Sequence, residues 1–116
     1  MMKSGTIYKQ GEIVIVPFPF SDLSNIKQRP VLILSKNTNN DISEDIITCG
    51  ITSNLKDTRH SILINNNDLI EGNIPIKSRI KIDKLFTLDK KIVKKKIARL
   101  NKNAFDKVKN EFFKLV

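Results

Sequence analysis

The 116-residue sequence contains one cysteine, one histidine and no tryptophan. The single cysteine, Cys49, excludes an internal disulfide, and its apolar surroundings predict a buried, inert thiol rather than a nucleophile. The single histidine, His60, lies in a polar stretch without an obvious partner, so the sequence gives little support to histidine acid-base catalysis. No catalytic triad, Walker loop, zinc-ligand spacing or paired-carboxylate motif is present. The sequence therefore predicts neither a metal site nor a cofactor.

Long apolar runs are also absent. The first ten residues, MMKSGTIYKQ, contain a lysine but no apolar segment of the length that a signal peptide needs. Elsewhere the longest apolar runs have the length of a strand rather than of a membrane-spanning helix. We therefore expect a cytoplasmic protein in which residues 1–116 form a single domain with one hydrophobic core.

Positive charge is abundant but unevenly distributed. The net charge is +9, with −1 over residues 1–76 and +10 over residues 77–116. Such asymmetry indicates an acidic partner or a nucleic-acid backbone. The abundance of Lys, Asn and Ile also fits a genome whose composition replaces Arg with Lys, so part of the surplus has no functional meaning.

The stretch GEIVIVPFPFSDLSNIKQRPVLILS predicts two short strands joined by a long connection. Glu12–Val16 is β-branched after its first residue, and we expect it to end at Pro17, which has no amide hydrogen for a ladder. Val31–Leu34 is the second predicted strand. The dozen residues from Pro17 to Arg29 show no helical period, and a connection of that length is usually functional or disordered.

Arg29 is the first candidate for a functional residue. Pro30 disfavours helical geometry for the residue before it, so we expect Arg29 to be extended at the mouth of the following strand. Taken alone, an arginine before a proline is most often a surface residue in a salt bridge.

The rest of the sequence predicts several short strands and one helix. The expected elements are a surface loop over residues 36–45, a strand at Asp45–Ser53 with a bulge or close approach at Gly50, a polar loop at Asn54–His60, a strand at Ser61–Ile64 and a strand with a basic outer face at Pro75–Ile82. Lys84–Thr87 either extends this last strand or leads to a short turn at Leu88–Lys91. From Leu100 onward apolar residues recur at helical spacing, with Asn103 and Asp106 resembling a capping box. Short strands with one terminal amphipathic helix predict a small β-barrel or half-open sheet.

Three blocks of the sequence together resemble a known family. The first comprises Gly11, Glu12, the run VIVPFPF, Asp22, Lys27, Gln28, Arg29, Pro30 and Ser35; the second is Ile51, Thr52 and Ser53; the third is SRIKIDKLFTLDK, from Ser78 to Lys90. In this order they resemble the PemK/MazF family of toxin endoribonucleases and cover most of the chain from Gly11 to about Leu100. The resemblance implies a mainly β, SH3-like barrel with outer helices, as in CcdB and MazF, and a homodimer.

The resemblance also implies specific roles for residues. The catalytic arginine and threonine of the family fall on Arg29 and Thr52. Positions associated with RNA binding fall on Lys27, Gln28, Ser53, Lys81 and Asp83, and the last two occupy positions that some members use near the scissile phosphate. A surface ion pair is the alternative interpretation of Lys81 and Asp83. The implied partners are single-stranded RNA and a cognate antitoxin whose acidic and apolar tail occupies the RNA groove.

The predicted chemistry needs little from the protein. The 2′-hydroxyl of RNA can attack the adjacent phosphate and leave a 2′,3′-cyclic phosphate and a 5′-hydroxyl, and no metal ion is required in principle. The planar fork of Arg29 suits the negative charge of the phosphate, and the hydroxyls of Thr52 and Ser53 suit its orientation. Sequence-selective endoribonuclease activity on mRNA is therefore our first hypothesis.

The sequence departs from the family pattern at Phe86, where many members have an arginine before the threonine of the third block. A contact made by that arginine is therefore expected to be missing. The aromatic residues outside the helix, among them Phe18 and Phe86, are expected to lie in the core rather than to stack on bases. Two alternatives use the same barrel without catalysis, namely a gyrase poison resembling CcdB and an RNA-binding barrel.

Overall fold

The computed structural model describes residues 7–19 and 26–116, and its main element is a seven-stranded antiparallel sheet. The strands are β1 (Glu12–Pro19), β2 (Ile26–Ile33), β3 (Asp45–Thr52), β4 (Ser61–Ile64), β5 (Leu69–Gly72), β6 (Ser78–Asp89) and β7 (Lys95–Leu100), and the helices are α1 (Asn37–Ile42) and α2 (Lys102–Leu115), with single 3₁₀ turns at Asn66–Asp68 and Lys90–Ile92. The spatial order is β4-β6-β3-β2-β1-β7-β5, and the sheet curls into a half-barrel. The predicted mainly β fold with a C-terminal helix is confirmed. Neither helix in the described part of the chain has the length and apolar composition needed to cross a membrane.

The hydrophobic core consists of two clusters. The larger lies between the sheet and α2 and includes Ile13, Leu32, Ile80 and Val108, each with 0% of its surface exposed. The smaller is formed by Val14, Val16, Val31, Ile33 and Ile46. Neighbouring residues of β1 belong to different clusters because successive side chains of a strand face opposite sides of the sheet.

The prediction for the β1–β2 region was wrong in its boundaries. The first strand continues through Pro17 to Pro19, and β2 begins at Ile26, so Arg29 lies within a strand rather than at the end of a loop. Pro17 lies opposite Gln28. In the described part of the chain β7 pairs with β1 only as far as Ile15, and a proline is tolerated beyond that point because one side of the strand carries no ladder. The extended backbone predicted for Arg29 is confirmed.

Residues 36–45 were predicted to form a surface loop, yet they contain the six-residue helix α1. Its Asn40 is buried, with 2% of its surface exposed, and its side-chain amide donates to the backbone oxygen of Ser35 at 2.9 Å. The Ser35 hydroxyl in turn accepts from the backbone N–H of Ile47 at 3.1 Å. The backbone oxygen of Asn40 also accepts from the ammonium of Lys90, 50 residues away, and local propensity does not reveal such a contact.

The β3–β6 pairing contains the irregularity that was predicted at Gly50. All eight residues of β3 pair with β6, but Cys49 lies opposite Leu85 while Gly50 lies opposite Lys81. Residues 82–84 therefore form a bulge in β6. The strand begins later than predicted, at Ser78, and extends beyond Ile82 to Asp89. The bulge changes which side chains of β6 share a face.

The far edge of the sheet contains two strands, β7 and β5, that the sequence analysis did not identify. They pair with each other, and β7 also pairs with β1. Gly72, at the end of β5, has a φ of +73°, and a Cβ atom there would lie 2.1 Å from the backbone oxygen of Ile97. Glycine is therefore required at this close approach of two strands.

The terminal helix α2 is confirmed, but its cap is not the predicted one. The side chain of Asn101, not of Asn103, accepts the backbone N–H of Ala104 at 2.8 Å. The helix packs on β4 and β6, with Val108 fully buried and Phe105 and Phe112 partly buried. It therefore closes one side of the half-barrel.

Candidate functional site

A cleft of about 410 Å³ opens between β2, β3, β6 and the segment that joins β3 to β4. Its lining is formed by Phe18, Arg29, Pro30, Val31, Gly50, Ile51, Thr52, Asn54, Lys56, Thr58, Lys81, Lys84 and Phe86. Four of these side chains are basic, and no carboxylate is found among the lining residues that the structure describes. Such a cleft attracts an anionic ligand.

The two predicted catalytic residues, Arg29 and Thr52, lie in this cleft together. Strand β2 pairs with β3 through Val31 opposite Gly50. This is the last paired position of the two strands, and Arg29 and Thr52 each lie two residues beyond it. The two side chains are brought to one place because they occupy matching positions on neighbouring antiparallel strands.

The hydroxyl of Thr52 is oriented by its own backbone. Its oxygen accepts the backbone N–H of Asn54 at 3.1 Å, and the side chain of Asn54 accepts the N–H of Lys56 at 3.0 Å. These are the local turns that Thr and Asn side chains commonly form. The acceptor role leaves the hydroxyl hydrogen of Thr52 for donation elsewhere, as to a phosphate oxygen.

Lys81, the third predicted residue in the cleft, is held by the β3–β4 segment. Its ammonium donates to the hydroxyl oxygen of Thr58 at 2.6 Å. Arg79, two residues earlier on β6, contacts the same segment through Asp57 at 2.9 Å and through the Ser61 hydroxyl at 3.0 Å. The two basic residues on the predicted outer face of this strand therefore make different contacts. Arg79 binds the segment, while Lys81 lines the cleft.

Four residues predicted to bind RNA do not line the cleft. Lys27, Gln28, Ser53 and Asp83 are exposed and lie outside its lining. Asp83 belongs to the β6 bulge, and the structure records no ion pair between it and Lys81. Among residues 7–19 and 26–116, no three His, Cys, Asp or Glu side chains form a group that could hold a metal ion.

Two aromatic residues expected in the core also face the cleft. The rings of Phe18 and Phe86 meet edge to face with centroids 4.9 Å apart, and both side chains line the cleft. Phe18 also packs on the smaller core cluster, as predicted, whereas the position of the two rings in the cleft was not predicted. Phe20, another of these aromatics, lies outside the described residues.

Sequence reasoning missed the lining residues Asn54, Lys56, Thr58 and Lys84. The first three belong to the predicted polar loop after Thr52, and their closeness to a predicted catalytic residue was the available signal. Lys84 lies within the third block of the resemblance. Its place in the cleft follows from the β6 bulge, which the alternating pattern did not indicate.

Cys49 and His60, which the sequence did not support as catalytic residues, have defined surroundings in the structure. Cys49 is fully buried, and burial, followed by the charge of Asp83, raises the pKa of its thiol to about 12. It is therefore inert, as predicted. His60 was expected to have no obvious partner, but its Nδ1 lies 3.0 Å from Oε2 of Glu111 on α2. This pair connects the end of the β3–β4 segment to the terminal helix.

A second concave surface, which we call the apolar groove, lies on the other side of β3 and β6. It has a volume of about 530 Å³ and is lined by Gln10, Leu34, Ser35, Lys36, Thr38, Asn39, Ile47, Leu85, Phe105, Lys109, Phe112 and Phe113. Ile47 and Leu85 are each 44% exposed, and Phe113 is 64% exposed. The exposure of these side chains distinguishes the groove from the core.

The sequence matches a family model over residues 9–116, and the family is described as PemK-like, MazF-like toxin of type II toxin–antitoxin systems. Among curated proteins, no sequence matches this chain.

Solved structures with the same fold include toxins and their complexes. A mycobacterial endoribonuclease in complex with its cognate antitoxin has a TM-score of 0.76 at 15% identity, over 92% of both chains. A MazE–MazF structure from Deinococcus radiodurans has a TM-score of 0.77 at 17% identity, over 95% of this chain and 96% of that chain. At such identity the likeness concerns the fold alone.

Proposed function

Because this chain belongs to the family of PemK-like, MazF-like toxins of type II toxin–antitoxin systems, we propose that it is an endoribonuclease that cleaves single-stranded mRNA in the cytoplasm without a metal ion. The observation that carries the proposal is the position of Arg29 and Thr52, which line one basic cleft from two neighbouring strands. A gyrase poison needs neither of these residues.

The reaction uses the nucleophile of the substrate itself. The 2′-oxygen loses its proton and bonds to phosphorus, while the bond from phosphorus to the 5′-oxygen breaks and that oxygen gains a proton. The products carry a 2′,3′-cyclic phosphate and a 5′-hydroxyl. The protein must therefore orient one phosphate, stabilise its growing negative charge and assist two proton transfers.

Arg29 and Thr52 make different contacts with the phosphate. The guanidinium of Arg29 donates two parallel hydrogen bonds to phosphate oxygens, and the hydroxyl of Thr52 donates one more. One well-placed donor of this kind contributes about 3 kcal/mol to stabilisation of the transition state. Of the two residues predicted near the scissile phosphate, Lys81 lines the cleft and Asp83 does not, so we assign the phosphate contact to Lys81.

The cleft favours unpaired RNA. Bases of a single strand are accessible to side chains, whereas the deep groove of an A-form duplex hides them. The lining lysines, Lys56 and Lys84, bind the charged RNA backbone, and Lys27, Gln28 and Ser53, which are exposed and lie within two residues of Arg29 or Thr52 in the sequence, contact neighbouring nucleotides. We propose that these contacts make cleavage sequence-selective.

We also propose a cognate antitoxin as partner. The mycobacterial endoribonuclease with this fold forms a complex with its cognate antitoxin, and the structure from Deinococcus radiodurans contains MazE together with MazF. A tail with acidic and apolar side chains would meet four basic residues and the Phe18–Phe86 pair in the cleft. Such a tail would exclude RNA by occupying the same surface.

The apolar groove supports a homodimer. Soluble monomers rarely expose large contiguous apolar patches, and Ile47, Leu85 and Phe113 line one continuous concavity. A second copy of the chain placed there would bury these side chains. The dimer proposed from the family resemblance therefore has a specific candidate surface.

The test is incubation of the purified protein with a mixed-sequence RNA in excess EDTA, beside Arg29→Ala and Thr52→Ala. We expect discrete fragments with 5′-hydroxyl and cyclic-phosphate ends, and a loss of about a hundredfold or more in rate for each variant. Arg99→Ala is the matched control, because Arg99 lies on β7 and faces Glu71 at 3.8 Å instead of the cleft.

Intact RNA in the presence of folded wild-type protein would refute the nuclease proposal. Dependence on an added divalent ion would refute its metal independence. Inhibition of DNA gyrase with no effect on RNA would favour the CcdB-like alternative instead.

A further inference from the structure

The cleft residue Lys81 depends on a partner that is distant in sequence. Its ammonium lies 2.6 Å from the hydroxyl oxygen of Thr58, and both residues line the cleft. The two belong to different elements, since Lys81 is on β6 and Thr58 is in the β3–β4 segment. Fixing the ammonium of a lysine costs side-chain entropy, because its four flexible methylenes must be ordered. A hydrogen-bond acceptor that offsets this cost therefore has a measurable effect on the position of the ammonium.

The hydroxyl of Thr58 is itself oriented. Its oxygen lies 3.3 Å from the Ser61 hydroxyl, which in turn donates to the backbone oxygen of Thr58 at 2.7 Å. If the Thr58 hydrogen is directed to Ser61, the lone pairs of its oxygen are left for Lys81. The short turn from Thr58 to Ser61 thus presents an acceptor rather than a donor to the ammonium.

The segment that carries Thr58 is fastened at both ends of the turn. Arg79 holds it through Asp57 and Ser61, and His60 contacts Glu111 of α2 at 3.0 Å. Only 12% of the Arg79 side chain is exposed but 84% of the Asp57 side chain is, so the bond from Arg79 to the Ser61 hydroxyl is the better shielded of the two attachments. Thr58 therefore occupies a fixed position against which the mobile end of Lys81 can be held.

We propose that Thr58 is a positioning residue that holds the Lys81 ammonium in the cleft for contact with a phosphate of bound RNA. The inference rests on the proposed RNA-cleaving function. An ammonium has three N–H donors, so the bond to Thr58 leaves two for phosphate oxygens. Thr58 itself makes no contact with the reacting atoms in this proposal.

The experiment is a double-mutant cycle on RNA binding. A mixed-sequence pool of 2′-O-methyl RNA serves as the probe, because it lacks the attacking hydroxyl and stays intact. Thr58→Val removes the hydroxyl at nearly constant volume, Thr58→Ser keeps it, and Lys81→Met removes the ammonium. Thr87→Val, an exposed threonine of β6 outside the cleft lining, is the matched control.

We expect Thr58→Val to weaken binding about three- to tenfold, the range of one ordinary hydrogen bond. Thr58→Ser should bind like the wild type. In the Lys81→Met background, Thr58→Val should cause no further loss, because the ammonium that it positions is gone. A merely structural role of Thr58 would weaken binding by the same factor in both backgrounds.

Equal losses in both backgrounds, or wild-type binding by Thr58→Val, would overturn the positioning role. If Thr58→Val fails to fold, as judged by its thermal transition, Thr58→Ala takes its place in the same cycle. Wild-type protein that binds the probe with this coupling but leaves ordinary RNA intact would contradict the nuclease and retain the role of Thr58. Absence of any RNA binding would overturn both.

Discussion

Strands β3 and β6 separate two concave surfaces of opposite character. The cleft on one side is lined by Gly50, Thr52, Lys84 and Phe86 of these strands, whereas the apolar groove on the other side is lined by Ile47 and Leu85. Neighbouring residues of β6 thus serve different surfaces, because successive side chains of a strand face opposite sides.

The difference indicates what each surface binds. The cleft combines four basic side chains with the hydroxyl of Thr52, which suits a phosphate chain. The groove is bordered by Lys36 and Lys109 but its interior is apolar, which suits the desolvated core of a protein interface. Strands β3 and β6 therefore contribute both to the proposed substrate site and to the proposed dimer interface.

The largest effect of a substitution in the cleft is expected at Arg29. Although the cleft also contains three lysines, we expect Arg29→Lys to lower the rate of RNA cleavage about a hundredfold, because an ammonium cannot donate the two parallel hydrogen bonds of a guanidinium. Single-turnover cleavage of mixed-sequence RNA measures the effect, with Arg99→Lys as the control. A rate near that of the wild type would mean that positive charge alone is sufficient in the cleft.

The groove is tested at Ile47. A charged residue at the centre of an interface must be desolvated, so Ile47→Lys should weaken the homodimer about thirtyfold or more. Sedimentation at several protein concentrations measures the dissociation constant. Ile70→Lys is the control, because Ile70 is 66% exposed but lies outside the groove. An unchanged dimer in Ile47→Lys, or a monomeric wild type, would show that the groove is not a dimer interface.

The sequence predicted the parts of these surfaces that depend on local pattern. Strand β4 was predicted with its observed bounds, and β3 ends one residue before the predicted Ser53. The presence of Arg29 and Thr52 in one cleft was implied by the family resemblance. Neither residue has a local pattern that distinguishes it from an ordinary surface arginine or strand threonine.

The remaining features depend on contacts that a linear pattern does not contain. The bulge at residues 82–84 puts Lys84 on the same surface as Lys81, although strict alternation places residues three apart on opposite faces. The roles of Thr58 and His60 depend on partners 23 and 51 residues away. Strand β7 was not predicted because its lysines interrupt a short apolar pattern. The strand is stabilised by its pairing with β1 and β5.

A smaller effect is expected at Lys84. Its replacement by methionine keeps most of the apolar side chain and removes one positive charge from the cleft, so RNA binding should weaken about three- to tenfold. The slope of log affinity against log salt should fall by about 0.7, the value for one phosphate contact with a single strand. Titrations at several salt concentrations test both numbers. Lys109→Met, which removes a charge from the border of the groove, should leave both unchanged.

The smallest effect concerns Cys49, which is buried in the larger core cluster. Because the pKa of its thiol is about 12 in the folded protein and 9.0 in the reference state, the unfolded chain loses this proton first as pH rises. The thiol therefore favours the folded state fully below pH 9, and this contribution falls as pH approaches 12. Between pH 9 and pH 10 the free energy of unfolding should decrease by about 1 kcal/mol more in the wild type than in Cys49→Ala.

Urea unfolding of both proteins over this pH range measures the difference, and the variant removes the contribution of the many lysines that titrate in the same range. Parallel pH profiles would mean that the thiol is accessible to water in the folded state. One route to such access is separation of β3 and β6 beside Gly50, where the pairing is already irregular. The cleft and the groove would then be coupled through a flexible strand pair instead of being separated by a rigid one.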